Sequence, residues 1–153
     1  MHRSEFYIEK PAGFEVAVEV STVFMECKKK LLLLHRAKCE LSPETWGGPG
    51  GKLEKGETPI EGLVREVWEE LKLRPKPEEL QFIRTLYVHH PKVKYRLHLF
   101  RWKLGSMPSI TLDPKEHMGY KWQPIEAFAE LPLLEGQLEA FQFVYQQDGR
   151  IEG

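Results

Sequence analysis

The sequence predicts an α+β fold, a three-layer α/β/α arrangement around a mixed β-sheet. Strand-like runs lie on both sides of a strongly amphipathic helical segment, and they follow no regular βα alternation. A second helical pattern closes the chain. At 153 residues, with 41% hydrophobic and 29% charged side chains, residues 1–153 suit one domain of ordinary globular composition.

Residues 1 to 13 mix charges with aromatics and end at Pro11-Ala12-Gly13, which reads as a short arm or edge strand. From Phe14 to Cys27 the residues Val16, Val18, Val20, Thr22 and Val23 give an alternating strand. Lys30 to Arg36 gives a second after the lysine turn at 28–30, so the two are expected to form a hairpin. Ala37 to Gly51 is dense in breakers and is expected to be an irregular loop, with Trp46 packed beneath it. Pro75 and Pro77 end the helix that follows. Leu80 to His90 and Tyr95 to Leu104 are read as strands, the second half-buried. After a proline-containing loop come a short strand at Tyr120–Gln123 and a short helix at Pro124–Glu130. Apolar residues at 134, 138, 141 and 144–145 mark a last helix between Leu133 and Gln147.

A net charge of −1 gives no electrostatic footprint for a stable nucleic-acid partner, so any polyanion must be held locally. Cys27 and Cys39 are too few for a disulfide framework or a thiolate zinc site, and His89, His90, His98 and His117 fit no zinc spacing. These histidines read as core or surface residues. The longest apolar run, Leu31 to Leu34, is far short of the roughly 20 residues that span a bilayer. With no secretory signature at the start, a cytoplasmic location and no membrane partner are expected. Edge strands and the arm leave a monomer or a homodimer open.

The informative stretch is Gly50 to Leu73. Thr58 can cap a helix while Glu61 reaches back to it, and Pro59 falls where its missing N–H costs nothing. Ile60, Val64, Val67 and Leu71 make an apolar stripe, with Leu63 on its flank. Glu66, Glu69 and Glu70 stand at i, i+3 and i+4, one face of like charges that favours either full solvation or a bound cation. Gly62, one turn before Glu66, leaves room for something bulky against that face.

This segment resembles the Nudix box. Gly51, Glu57, Arg65, Glu66, Val67, Glu69, Glu70 and Leu73 fill eight of its positions in register within twenty-three residues. The departure is Lys72, where the pattern has Gly. Lys adopts a left-handed exit only at a cost of roughly 1–2 kcal/mol, so a changed helix exit is expected there. The approach through Trp46 and Pro49-Gly50-Gly51 also resembles the family, as does Glu116, six residues before Trp122.

The resemblance, in its MutT-like form, implies a helix–sheet–helix sandwich and Mg²⁺- or Mn²⁺-dependent hydrolysis of a nucleoside triphosphate to monophosphate and pyrophosphate. It implies Glu66 and Glu70 as principal metal ligands, with Glu69 adding a ligand or orienting metal-bound water, the Gly50 carbonyl completing a site, and Glu116 as a further ligand or general base. Glu57 is implied as a supporting group or a ligand, held in place by Arg65, while Lys52 and the bare backbone of Gly51 could steady a substrate phosphate. Clustered oxygen donors suit such hard cations, which bind substrate phosphates directly. The chain contains no Asn, so base reading through an Asn amide cannot operate and Asp113, Gln81 or Gln123 would have to replace it. Tyr87 or Trp102 could stack a base. A dinucleoside-polyphosphate or RNA 5′-end hydrolase, and a Nudix-fold nucleotide sensor without turnover, are the competing readings.

Overall fold

The computed structural model describes residues 4–37 and 44–146. Within them one mixed sheet contains β1 (Glu5–Tyr7), β2 (Val18–Cys27), β3 (Lys30–Arg36), β4 (Trp46–Gly47), β5 (Gly50–Lys52), β6 (Gln81–His89), β7 (Lys94–Lys103) and β8 (His117–Pro124). The helices are α1 (Pro59–Leu71) and α2 (Gln137–Tyr145), with a 3₁₀ turn at Pro77–Glu79 and a kinked 3₁₀ segment at Ile125–Glu130 whose Ala127 is non-helical. Cys39, the Ser42-Pro43 breaker and the tail from residue 148 lie outside the described residues.

The strands run β1-β6-β7-β2-β3-β4, with β5 paired to β2 and β8 to β3. β2 and β7 are parallel from Val18↔Tyr95 to Glu26↔Lys103, and the other pairings are antiparallel. Alternation along the strands divides the core between the two faces. Leu32 and Leu34, with Val23, Met25, Phe100 and Trp102, pack beneath Leu63, Val67 and Leu71 of α1. Leu31 and Leu33, with Phe24, Leu97 and Leu99, face Phe141, Val144 and Tyr145 of α2. A sheet covered on both faces is the sandwich expected from the sequence.

Several expectations need correction. The expected β2–β3 hairpin is present but short, pairing only at Glu26↔Leu31 and Cys27↔Lys30. The other neighbours of β2 are β7 on one side and β5 on the other, because β5 returns across its middle at Val20 to Thr22. The breaker-rich loop is therefore not wholly irregular: it carries β4 and β5. Trp46 lies in β4, its ring stacked on His35 at 4.3 Å between centroids. β7 is covered on both faces from Leu97 to Phe100, where it is central in the sheet, and is less buried toward its ends. β8 begins at His117, three residues before the expected start, and α2 is shorter than its apolar pattern, beginning only at Gln137.

Lys72 overturns the expected change of helix exit. It sits at φ 58°, ψ 37°, so the chain leaves α1 in the left-handed conformation with a side chain that resists it. Its N–H donates to the Trp68 carbonyl, its Nζ to the Glu69 carbonyl at 3.4 Å, and its ammonium lies 5.2 Å from the Trp68 ring centroid. These contacts offset part of the strain.

Candidate active site

The site is built where the α1 carboxylate face meets the turn between β4 and β5. Thr58 caps α1 as read from the sequence: Glu61 N donates to its hydroxyl at 3.2 Å, and Thr58 N donates to Glu61 at 2.9 Å. The turn is tied to β2 through Pro49, whose carbonyl accepts from Val23 N and Thr22 Oγ1 at 3.0 Å each. Gly50 has φ 149°, and a Cβ there would lie 2.2 Å from the Ser21 carbonyl oxygen. Only glycine fits. The absent side chain of Gly51 makes room for Glu66, since a Cβ at that position would be 2.5 Å from its carboxylate. The room left at Gly62 is taken by Leu53 of the loop.

Glu70 is nearly enclosed, 8% exposed, and its Oε1 accepts from Gly50 N at 2.9 Å. Burial pushes its carboxyl well above the usual range; the Gly50 N–H opposes that, while the charges of Glu66, Glu116 and Glu69 add to it. Glu66 is raised too, first by burial and then by Glu69 and Glu116, against the pull of Arg65. Glu116 is exposed in the turn before β8, yet its charge reaches both Glu66 and Glu70. Four carboxylates therefore share one field.

Arg65 sits among them as a hub. It makes a two-pronged pair with Glu57, Nε to Oε2 at 2.7 Å and Nη2 to Oε1 at 3.0 Å. Nη1 reaches Glu66 at 3.1 Å and Glu69 at 3.2 Å, and Nη2 also donates to the Lys52 carbonyl at 3.0 Å. Those hydrogen bonds hold the Glu57 carboxyl below its ordinary value, helped by the N–H of Glu54. The same partner raises the guanidinium further above its already high value. The Lys52 side chain is exposed at the rim.

Among the described residues no three His, Cys, Asp or Glu side chains are already gathered as a metal cage. The guanidinium of Arg65 occupies one flank of the acidic face, and Glu70 is turned to a backbone N–H. The donor set nonetheless fits a hard divalent cation: it is all oxygen, the charges around Glu66 and Glu70 raise both of those carboxyls, and glycines bring bare peptide groups beside them.

A cleft of about 450 Å³ opens from Glu70 across β2. Pairing sets its length: Gly50 lies beside Thr22 and Tyr95 beside Val18, four residues back along β2, a span of roughly 13 Å. Its far wall carries His90, Tyr95, Leu134, Glu135, Gly136 and Gln137. Gly48 N donates to Gln137 Oε1 at 3.1 Å, which fixes the orientation of that amide and leaves its nitrogen as the donor. A hollow of comparable size, about 460 Å³, lies along the 52–57 loop and Arg96, and neither Glu66 nor Glu70 lines it.

The residues expected to read or stack a base are elsewhere. Gln123 is buried and donates to the Ala127 carbonyl, Asp113 caps Lys115 N, and Gln81 opens β6 opposite Arg101. Tyr87 packs edge-on against Phe14, and Trp102 lies in the core under α1. Two histidines read as core or surface residues line the cleft instead. His117 lies 4.0 Å from Glu70 Oε2, and His90 stands at the far wall. Gln137, Tyr95 and His117 have no spacing relation to one another in the sequence; strand register places Tyr95 and His117, and the Gly48 N–H bond to Gln137 ties the start of α2 to them.

A sequence model of the NUDIX domain matches residues 16–144, which spans both the carboxylate face and the cleft. The chain belongs to the NUDIX family. The CTP pyrophosphohydrolase of Escherichia coli (strain K12) is 33% identical over 128 residues, covering 77% of this chain and 89% of that protein. A nucleoside triphosphate pyrophosphatase/Nudix hydrolase fusion protein of Bifidobacterium longum is 32% identical over 108 residues, 68% of this chain. This chain spans only 21% of that fusion protein and 39% of a MutT-like protein from Streptomyces ambofaciens. Among solved structures, a MutT NUDIX hydrolase from Burkholderia pseudomallei superposes with a TM-score of 0.71 at 19% identity, covering 83% of this chain and 97% of that one.

Proposed function

We propose that this NUDIX chain is a divalent-metal-dependent hydrolase of phosphoanhydride bonds, and that it cleaves a nucleoside triphosphate to the monophosphate and pyrophosphate. The observation that carries the reading is a buried carboxylate, Glu70, at the head of a nucleotide-sized cleft and inside a field of three further carboxylates. Similarity to the E. coli CTP pyrophosphohydrolase supports a single nucleotide as substrate, and the cleft volume suits one nucleotide better than a dinucleotide or an RNA end.

In this reading Glu66 and Glu70, with Glu69, Glu116 and the Gly50 carbonyl, hold Mg²⁺ or Mn²⁺. When bound, such a cation neutralises phosphate oxygens and acidifies water for attack at neutral pH. Arg65 keeps Glu57 in place and spaces Glu66 from Glu69. Lys52 and the bare backbone of Gly51 steady the phosphates. Glu116, exposed and beside the buried pair, serves as the last ligand or accepts the proton of the attacking water. No helix among the described residues is long and apolar enough to cross a membrane.

The test is turnover of a nucleotide panel that includes CTP, with Mg²⁺ or Mn²⁺, scored separately for phosphate and pyrophosphate. Pyrophosphate with the monophosphate is the expected pair. Release of nothing from any compound would overturn the hydrolase reading and favour a sensor.

A further inference from the structure

The far wall of the cleft is not self-supporting. Leu134, Glu135 and Gly136 form a turn before α2, and its outside contacts come from distant parts of the chain. Leu134 N donates to the Trp46 carbonyl at 2.8 Å. The Glu135 carboxylate accepts from Ser4 Oγ at 2.8 Å and faces His90 Nε2 at 3.4 Å. The Phe6 ring meets the turn: a Cβ on Gly136 would be 3.4 Å from Phe6 Cζ and 3.8 Å from the Tyr95 hydroxyl. Gly136 has φ 91° and opens α2, whose first residue, Gln137, holds Gly48 next to the carboxylate turn.

β1 is a short edge strand, paired with β6 only at Glu5↔His89, Phe6↔Val88 and Tyr7↔Tyr87. On its own so short a strand contributes little to the sheet. Its two inward groups nevertheless meet the turn that forms the cleft wall, with Phe6 joining Tyr95, Leu133 and Leu138 at the rim of the α2-side core. The arm therefore braces a wall whose own backbone is held by few bonds.

We infer that Ser4 and Phe6 are positioning residues for the ligand: the amino-terminal arm sets the placement of Glu135, Gly136 and Gln137, and with it the affinity of the cleft. The inference rests on the nucleotide reading of that cleft. It assigns the arm a role in binding and none in the bond-breaking step, because its contacts end at the wall and do not reach Glu66 or Glu70.

The test uses the full chain with Ser4→Ala, Phe6→Ala and the double variant, and Ser4→Thr and Phe6→Leu as conservative partners. Amide hydrogen exchange in the ligand-free protein is expected to quicken about tenfold at Leu134 and Gln137 in the double variant, with strands β2 and β7 unchanged. With the best substrate of the panel, KM is expected to rise about fivefold to tenfold at a kcat within about twofold, and the conservative variants to restore most of it. Unchanged exchange at the wall overturns the bracing, and it does so without any ligand. Quickened exchange with an unchanged KM overturns the role in affinity. A kcat that falls as far as KM rises also overturns it, since the arm would then act through the carboxylate turn. Failure of the underlying reading looks different, because the unaltered protein would turn over nothing.

Discussion

Glu116 apart, the carboxylate half of the site lies within twenty-four consecutive residues, Gly50 to Leu73, whereas the ligand half draws on β1, β2, β7, the turn before α2 and α2 itself. The first half is held by short-range bonds of high charge: a capped helix, a guanidinium between carboxylates, and one N–H on a buried acid. The second is held by strand register and a few scattered contacts, those of Glu135 among them. Local, charge-dense construction tolerates change in the remainder of the chain, while a wall assembled from distant pieces is where related proteins can vary what they bind. The expected outcomes below each set one half against the other.

The largest effect is expected at Glu70. Glu70→Gln keeps an oxygen for the Gly50 N–H and removes the charge, and kcat should fall about 10²- to 10³-fold. Stability should move the opposite way. The folded-state pKa of this acid is raised, so the stability it contributes is fully present below the unfolded value of 4.5 and is lost as pH rises toward the folded one. At pH 7 the metal-free Gln variant should therefore melt at or above the unaltered protein. Turnover within threefold of the original would show that the charge-dense half is structural only.

Arg65→Lys comes next. Lys carries the charge but cannot span Glu57 Oε1 and Oε2 together while reaching Glu66, Glu69 and the Lys52 carbonyl. Loss of those charge-assisted bonds should lower stability by about 1–3 kcal/mol and turnover by roughly tenfold or more, read by urea unfolding and steady-state kinetics. KM for the nucleotide should change less than kcat, the reverse of the split expected for the arm. Equal changes in both would break the division between the halves.

Legibility from sequence followed the same division. The helix, its cap, its apolar stripe and its acidic face are set by residues within a few turns of one another, so Thr58, Glu61, Leu63, Val67 and Leu71 could be read directly. The sandwich was legible because Leu31 to Leu34 supplies alternate residues to two cores and two amphipathic helices exist to cover them. The parallel pairing of β2 with β7 was not, since it joins residues 77 positions apart, Val18 with Tyr95. That pairing is what puts Tyr95 in the cleft, and with it went the identity of Gln137, His90 and His117 as lining residues. Short strands such as β4 and β5 stayed hidden because Gly and Pro signal a turn, and here pairing to a neighbour overrides the local preference.

A pH experiment away from both halves provides the reference. Glu26 is buried, which pushes its carboxyl up, but hydrogen bonds from Arg101 at 2.8 Å and Tyr145 at 2.8 Å outweigh burial and hold it below 4.5. A depressed folded-state value gives stability that is present above pH 4.5 and lost as pH falls through the folded value. Glu26→Gln should therefore cost about 1–2 kcal/mol at pH 7 and progressively less below pH 4.5, with kcat and KM unmoved. A deficit that is constant with pH would show that the ion pair contributes no charge-dependent stability.

The smallest effect is expected at Lys72, where the family pattern has Gly and this chain bends the same way regardless. Gly removes the left-handed strain of roughly 1–2 kcal/mol and gives back part of it through the freer unfolded chain. It also forfeits the Nζ bond to the Glu69 carbonyl and the contact with the Trp68 ring, neither of which is buried enough to count for much. Lys72→Gly should thus gain about 0.5–1 kcal/mol in urea unfolding, with kcat and KM both unchanged because no cleft or carboxylate contact is altered. A drop in stability would mean that the lysine contacts outweigh the backbone strain. A change in kcat without one in KM would show that the exit of α1 is mechanically joined to Glu69 and Glu70, one turn earlier, and so belongs to the charge-dense half.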